Sequence, residues 1–418
     1  MGHTQLTIQK DQFYINGKLT YNEIPNSPCA GLLLNARFIQ GVFFDRSDPH
    51  RFDRFGRRFD PEQNTDELIA ALPQWYAAGL RALTVGFQGG GPCFTTDAQT
   101  IDANPFSDDG LTIDPACLKR MERILKAADS FGMVVIVSYF YMAQCRFFKS
   151  NRAVENAVRT ASAWLKYTGY KNVIIEVENE YNIEGFPRPF CLIDPAGITE
   201  LIQIARKASG NLPCGCSETG GHFTPQVAES SDIILIHGHG LNSQAYYDLI
   251  KKAKEIKPVR PIVCNEDSPA ISHLDLSVRE GVSWGYYNNL TKQEPPTDWD
   301  ITPGQDVYFA KRMATACGIE NNSPERSKEI YLQGLAPDEL LNGNAWISLA
   351  SLYPELIERV DFYRNDILID RTYEEPFLLN RKTTWLHTPI KRVVSGEQFK
   401  AVVYFRDGTI REITKTVQ

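Results

Sequence analysis

Apolar and polar positions along this chain follow two registers, period two and period 3.6, and the balance between them shifts once. Residues 5–20, QLTIQKDQFYINGKLT, alternate with period two about an Asn16-Gly17 turn, the pattern of a hairpin. Short apolar runs of strand length then alternate with longer stretches of helical spacing. Strands are expected at 38–44, 82–87, 134–139, 173–178, 213–217, 233–237, 262–266 and 282–286. Between them, 65–78 carries Leu68, Ile69, Leu72 and Trp75 at helical spacing. Residues 115–131 form a second helical stretch, framed by Asp114 as N-cap and by Gly132 just past its end. Further helices are expected at 153–168, 196–208, 243–256 and 306–317, whereas 273–280 is only faintly periodic. Eight strands, each followed by a helix or a helix-sized gap, predict an α/β fold of the (β/α)8 TIM-barrel type. Past residue 320 the pattern changes. Residues 321–327 are polar and contain Pro324, a linker signature. From Ile330 onward only strands are expected, at 345–350, 356–364, 367–370, 399–405 and 409–417. Asn365-Asp366 and Asp407-Gly408 mark turns between them, and the pattern predicts a β-sandwich. The expected domains are therefore 1–320, a barrel with its N-terminal hairpin, and 328–418, a sandwich.

Composition narrows the function. With 418 residues, the chain has room for a barrel of ~250 residues and a smaller unit. No segment approaches the ~20 apolar residues of a membrane span, so no membrane partner is expected. A net charge of −7 argues against nucleic acid, whose phosphates call for a basic stripe. Nine cysteines, an odd number without C-x-x-C spacing, read as buried free thiols suited to a reducing compartment. The N-terminus MGHTQLTIQK lacks an apolar signal core, so the expectation is a cytoplasmic chain. The alternative is a secreted or periplasmic chain whose signal has been removed. Nothing in the sequence sets an oligomeric state.

The chemistry concentrates on 171–181, KNVIIEVENEY. Its β-branched run reads as a strand buried on both faces, with Glu176, Glu178 and Glu180 in alternating register and expected to point the same way. Barrel chemistry sits at the C-terminal ends of the strands. Those ends offer Asp45, Gln88 with Gly89-Gly90-Gly91, Tyr139 and Tyr141, and Asn179-Glu180. The later strands add Glu218, His237 and His239, Asn265-Glu266-Asp267, and Trp284 and Tyr286. Such a polar and aromatic rim suits a sugar: aromatic faces stack on pyranose rings, while carboxylates, amides and imidazoles bond the hydroxyls. Glu180 and Glu266 both end apolar runs and can flank a glycosidic bond as acid and nucleophile, with Asn179 holding a sugar hydroxyl. His237-Gly238-His239 could share an ion, but no third ligand stands at a telling spacing, so neither metal nor cofactor is expected. The Gln88 loop lacks the Lys-Ser/Thr of a phosphate loop, and Ser217 lacks the elbow of an esterase.

VIIEVENEY resembles the fourth strand of the clan A glycoside hydrolases, the group that includes the family five cellulases and mannanases. The resemblance implies that Glu180 is the acid/base, Asn179 its substrate-binding neighbour and Glu266 the nucleophile. It further implies a buried Glu176 and, in SWGYY, a Trp284 that floors the subsite of the scissile sugar. The hairpin QFYINGKLTY is similar to the one that precedes the barrel in many members. Three strand ends depart from family five: Gln88 stands nearest its arginine, YFYMAQ replaces a histidine end, and HGHGL replaces a tyrosine. The resemblance is thus to the clan, over roughly residues 10–317, and does not carry a substrate. Separately, residues 330–418 are similar to the bacterial immunoglobulin-like modules appended to secreted hydrolases. The expected function is a retaining glycosidase acting on a β-linked oligo- or polysaccharide, with a raised pKa at Glu180. The alternatives are a transglycosylase using the same pair and a non-catalytic carbohydrate-binding protein.

Overall fold

A computed structural model describes residues 2–319 and 327–418. The linker expected at 321–327 falls, but for Ser327, outside the described residues. The N-terminal segment forms a three-stranded antiparallel sheet of β1 (Leu6–Gln9), β2 (Gln12–Ile15) and β3 (Lys18–Leu19). The expected hairpin is therefore a meander. A first turn at Lys10-Asp11 precedes the one at Asn16-Gly17, and Lys10 and Asn16 take φ of 56° and 53°.

Strands and helices then alternate: β4 (Asn35–Arg37), α1 (Pro61–Ala77), β5 (Ala82–Gly86), α2 (Pro115–Phe131), β6 (Val134–Tyr141), α3 (Asn151–Thr168) and β7 (Val173–Asn179). They continue as α4 (Pro195–Ser209), β8 (Cys214–Gly215), α5 (Pro225–Ser230), β9 (Ile234–His237), α6 (Ser243–Lys254), β10 (Ile262–Glu266) and α7 (Ser272–Arg279). β11 (Gly285–Tyr286), α8 (Asn289–Lys292) and α9 (Gln305–Cys317) end the series. The α2 boundaries match the sequence because their chemistry is local: Asp114 accepts from the amides of Ala116 and Cys117, and Gly132 closes the helix at φ 73°.

Six of these strands form one parallel sheet in the order β11-β4-β5-β6-β7-β8, so the first and last strands of the series are neighbours. β9 and β10 form a parallel pair. Backbone bonds reach from this pair to both ends of the six: Asp232 N to Cys214 O at 2.8 Å, and Cys264 N to Ser283 O at 2.8 Å. Side chains at alternate positions serve two cores. Ala82, Val134, Ile136, Ile174, Leu235 and Val263 pack with Leu6 and Phe13 of the N-terminal sheet. Val135, Val137, Ile175 and Val177 pack in the larger core with Leu125, Val158 and Leu201 of the surrounding helices. The N-terminal sheet thus covers one end of the strand array and leaves the C-terminal ends for chemistry.

One strand is displaced from its expected place. Residues 38–44 form tight turns instead, with Gly41 N bonded to Phe38 O and Phe43 N to Gln40 O. Phe38, Val42 and Phe44 are buried by those turns, so their apolar character gave no strand register. The strand end moves from Phe44 back to Arg37.

The C-terminal unit contains β12 (Ile330–Gln333), β13 (Ser348–Ser351), β14 (Ile357–Arg364), β15 (Ile367–Thr372), β16 (Phe377–Leu378), β17 (Gln398–Phe405) and β18 (Ile410–Thr416). They form two antiparallel sheets, β12-β13-β16 and β15-β14-β17-β18. Leu332, Leu349, Phe377, Val360, Phe399 and Val403 from the two sheets share one apolar core.

Candidate active site

β7 is buried along its whole length, and at its end the alternation of side chains breaks. The three glutamates part company. Glu176 accepts from Asn265 Nδ2 at 2.8 Å, whereas Glu178 is paired with the buried Arg188 at 2.5 Å. Asn179, next in the chain, is reached by Arg37 Nη2 at 2.8 Å. Glu180 then takes a left-handed φ of 58°, uncommon outside glycine and a mark of constrained functional positions. The expectation that the three carboxylates face one way fails at Glu178, which turns to Arg188 within β7, while the charges of Glu176 and Glu180 both act on Arg37.

Glu180, His237, His239 and Glu266 converge from the ends of β7, β9 and β10. One donor or acceptor atom from each lies within 4.8 Å of every other. His237 Nδ1 and His239 Nε2 both stand 3.1 Å from Glu180 Oε1, while His239 Nδ1 is 3.6 Å from Glu266 Oε1. Arg37, from the end of β4, places Nε 2.9 Å from Glu266 Oε2 and lies over the Tyr287 ring at 5.5 Å. Glu266 and His239 keep side-chain exposures of 12% and 13%, against 0% for His237, so an entering ligand meets the first two. Arg37 Nη1, His237 Nε2 and the Tyr287 hydroxyl are buried without a hydrogen-bond partner among the described residues. Buried polar atoms are rarely left so.

Electrostatics at the pair differ from the expectation. Burial raises the Glu180 pKa, but the His239 charge and the hydrogen bonds from His237 and His239 outweigh it and hold Glu180 well below the usual carboxylate range. Burial lowers His239, yet Glu180 and then Glu266 lift it to about 9. The raised acid expected at Glu180 is therefore absent in the free site, and the proton rests on the imidazole it touches. The four groups also supply the third and fourth ligand types that the sequence spacing concealed, and such a set could hold a divalent cation. The Arg37 guanidinium beside Glu266 opposes a second positive charge there.

Several expected site residues lie elsewhere. Trp284 is buried, donates its indole N–H to Asp267 Oδ2 at 2.7 Å and packs edge-on against Phe309. Tyr286 stacks on Phe309 and bonds Asp306 at 2.7 Å. Tyr139 points to α3, its hydroxyl 2.9 Å from Ser162 Oγ. All three belong to the core that faces the helices, because strand alternation turns them outward. Asp45 is held in its own loop by Ser47 and Arg51 and takes no part in the cluster. Gln88 is a brace, accepting from Tyr141 N at 2.7 Å and donating to Asn104 at 2.9 Å. Tyr141 is close to the pair: burial first, then the charge of Glu180, raises its hydroxyl far above the ordinary value. Glu218 accepts from the amide and hydroxyl of Thr224 at 2.6 and 2.9 Å and holds the neighbouring loop. Asp267 holds Trp284 and His273 and is no rival nucleophile.

Arg37 and Tyr287 were missed by the sequence reading, and Asn265, expected at a strand end, turns to Glu176. Arg37 had a signal, a lone charge inside the apolar run LLLNARFI. A cavity of about 670 Å3 opens elsewhere, lined by Thr291, Trp299 and Asp338 among others and by none of the four converging groups. Concavity alone does not mark the site.

No family model matches the sequence, and no curated protein does. Solved structures share the fold. A β-1,4-D-mannanase from Cryptopygus antarcticus aligns with 74% of this chain and 94% of its own, at 12% identity and a TM-score of 0.50. The β-glucuronidase of Parabacteroides merdae aligns with 99% of this chain and 50% of its own, at 11% identity and a TM-score of 0.42. Bacteroides uniformis β-glucuronidase 3 aligns over 99% and 51%, at 10% identity and a TM-score of 0.44. The chain thus spans about half the length of these glucuronidases.

Proposed function

We propose that the chain is a retaining glycosidase for β-linked glycosides, with Glu266 as nucleophile and Glu180 as acid/base. The observation that carries this reading is the approach of the two carboxylates to within 4.8 Å. Retaining pairs stand ~5–5.5 Å apart and inverting pairs ~6.5–9.5 Å, with room for water between them. Glu266 is oriented by Arg37 for attack on the anomeric carbon, and Arg37 also fixes Asn179 for a sugar hydroxyl. The Glu180–His239 pair carries the one proton that assists departure of the leaving oxygen. In the second step that pair takes a proton from water, which then attacks the glycosyl–enzyme bond. The same reading takes the eight parallel strands as a closed barrel, which the adjacency of β4 and β11 supports, and the C-terminal unit as an immunoglobulin-like sandwich.

The test is a panel of aryl β-glycosides and β-linked oligosaccharides, with Glu266→Ala and Glu180→Gln as variants. Each variant is expected to lower turnover by about 10³-fold or more, with the melting temperature kept. The first-formed product should keep its anomeric configuration by NMR. Near-normal turnover in either variant would sink the assignment. Transfer to acceptor sugars in place of water would make the enzyme a transglycosylase. Chelator treatment should leave turnover unchanged, and a loss restored by added metal would move the four-group cluster to a cation.

A further inference from the structure

Two contacts bring the C-terminal unit onto the mouth of the strand array. Gly240 N, adjacent in sequence to His239, donates to Thr384 Oγ1 at 2.6 Å. Next to Thr384, the Trp385 ring stands edge-on to His239, with centroids 5.9 Å apart and planes at 82°. A second anchor lies in the loop after β5, where Phe94 packs on Trp346 at 5.3 Å and on His387 at 6.2 Å. Trp346 is buried in that anchor, whereas Trp385 keeps part of its surface open. The imidazole under Trp385 directs its two nitrogens at Glu180 and Glu266. The indole therefore sits one side chain away from the carboxylate pair. Trp284, the tryptophan expected to meet the sugar, is enclosed in the core.

We propose that Trp385 is a sugar-stacking residue of this site, so that the C-terminal unit completes the substrate cleft. An indole face matches the C–H face of a pyranoside in size and polarity. The ligand class is a pyranoside with an apolar ring face, bound beside the bond to be cut. The inference rests on the glycosidase reading for its kinetic form, and its binding form stands without it.

The experiment compares the intact chain with Trp385→Ala and Trp385→Phe by melting temperature, by kinetics on the best glycoside of the panel and by calorimetric titration with pyranosides. Trp385→Ala should raise KM about tenfold with kcat within about twofold, and Trp385→Phe should recover most of the loss. Unchanged KM and kcat in Trp385→Ala would overturn the proposal. So would a loss that follows a lowered melting temperature and that phenylalanine does not rescue. If the wild-type chain turns over no glycoside, the function fails and the titration decides. Weaker pyranoside binding in Trp385→Ala then sustains the role of Trp385, while equal binding, or none by the wild-type chain, overturns it.

Discussion

The mouth of the strand array and the C-terminal sandwich differ in how many buried polar atoms they leave unpaired and in how closely these gather. At the mouth, Arg37, His237, His239, Glu266 and Tyr287 all leave a buried polar atom without a hydrogen bond among the described residues. In the sandwich Asp361, equally buried, has both carboxylate oxygens taken by Arg371 at 2.7 Å each. Desolvating a polar group without a partner costs about 1–3 kcal/mol, so a fold selected for stability alone would close such gaps. The difference teaches where a ligand is expected. The sandwich leaves Gln333 Nε2 and Arg359 Nε without a hydrogen bond among the described residues, whereas the mouth gathers five such residues around one carboxylate pair.

The largest effect that would break this comparison is at Arg37. Arg37→Met should lower kcat/KM by about 10²–10³-fold, because Glu266 and Asn179 lose their common donor. It should also cost about 3–5 kcal/mol of stability, since removing one partner of a buried pair strands the other. Chemical denaturation checks this second figure. A variant as stable as the parent with normal kinetics would mean that the arginine is a bystander. His239 comes next. Its pKa is raised to about 9, so the protonated imidazole persists through neutral pH and is lost as pH rises through about 9. Activity should fall on that alkaline limb, and His239→Asn should lower kcat about tenfold or more and remove the limb.

How much of this was legible in the sequence varies with how local the cause is. α2 was readable to the residue because its cap and its terminating glycine lie within the segment itself. The core of β7 was readable because β-branched residues on both faces leave few alternatives. β4 was not, since the apolar residues after it are buried by turns, and a burial pattern does not say which geometry achieves it. That seven-residue shift of the strand end hid Arg37 and promoted Asp45. Trp284 and Tyr286 were misplaced for a related reason: a one-residue choice of register turns a side chain from the cleft to the helices. Trp385 had no sequence signal, because its place depends on how the C-terminal unit meets the mouth.

A smaller effect sharpens the comparison from the other side. Asp361→Asn keeps the shape of the side chain but removes the charge that holds Arg371, with Arg359 also 3.4 Å away. The melting temperature should fall while kcat/KM stays within about twofold, because nothing in that pair touches the mouth. A large loss of activity at constant stability would show that the sandwich interior communicates with the site, and the contrast drawn between the two regions would dissolve.

The finest test uses pH at the seam between them. His387, two residues from Trp385, is buried with its Nδ1 3.1 Å from Leu379 O and its ring against Phe94. Burial lowers its pKa to about 4, and the bond to Leu379 recovers only part of the shift. The unfolded chain would therefore take up a proton near pH 6.5 that the folded chain refuses until about 4. A depressed imidazole contributes stability that is full above the unfolded value and is lost as pH falls through that window. The loss should approach about 3 kcal/mol at the acid end and be absent above neutrality. Urea denaturation between pH 7.5 and 4 reads the slope, and His387→Phe should flatten it. Because the protonated ring would loosen the segment that carries Trp385, KM should rise in mild acid before the strand array unfolds. A KM that stays constant down to the pH of global unfolding would place the loop of Trp385 and the strand array in a single cooperative unit.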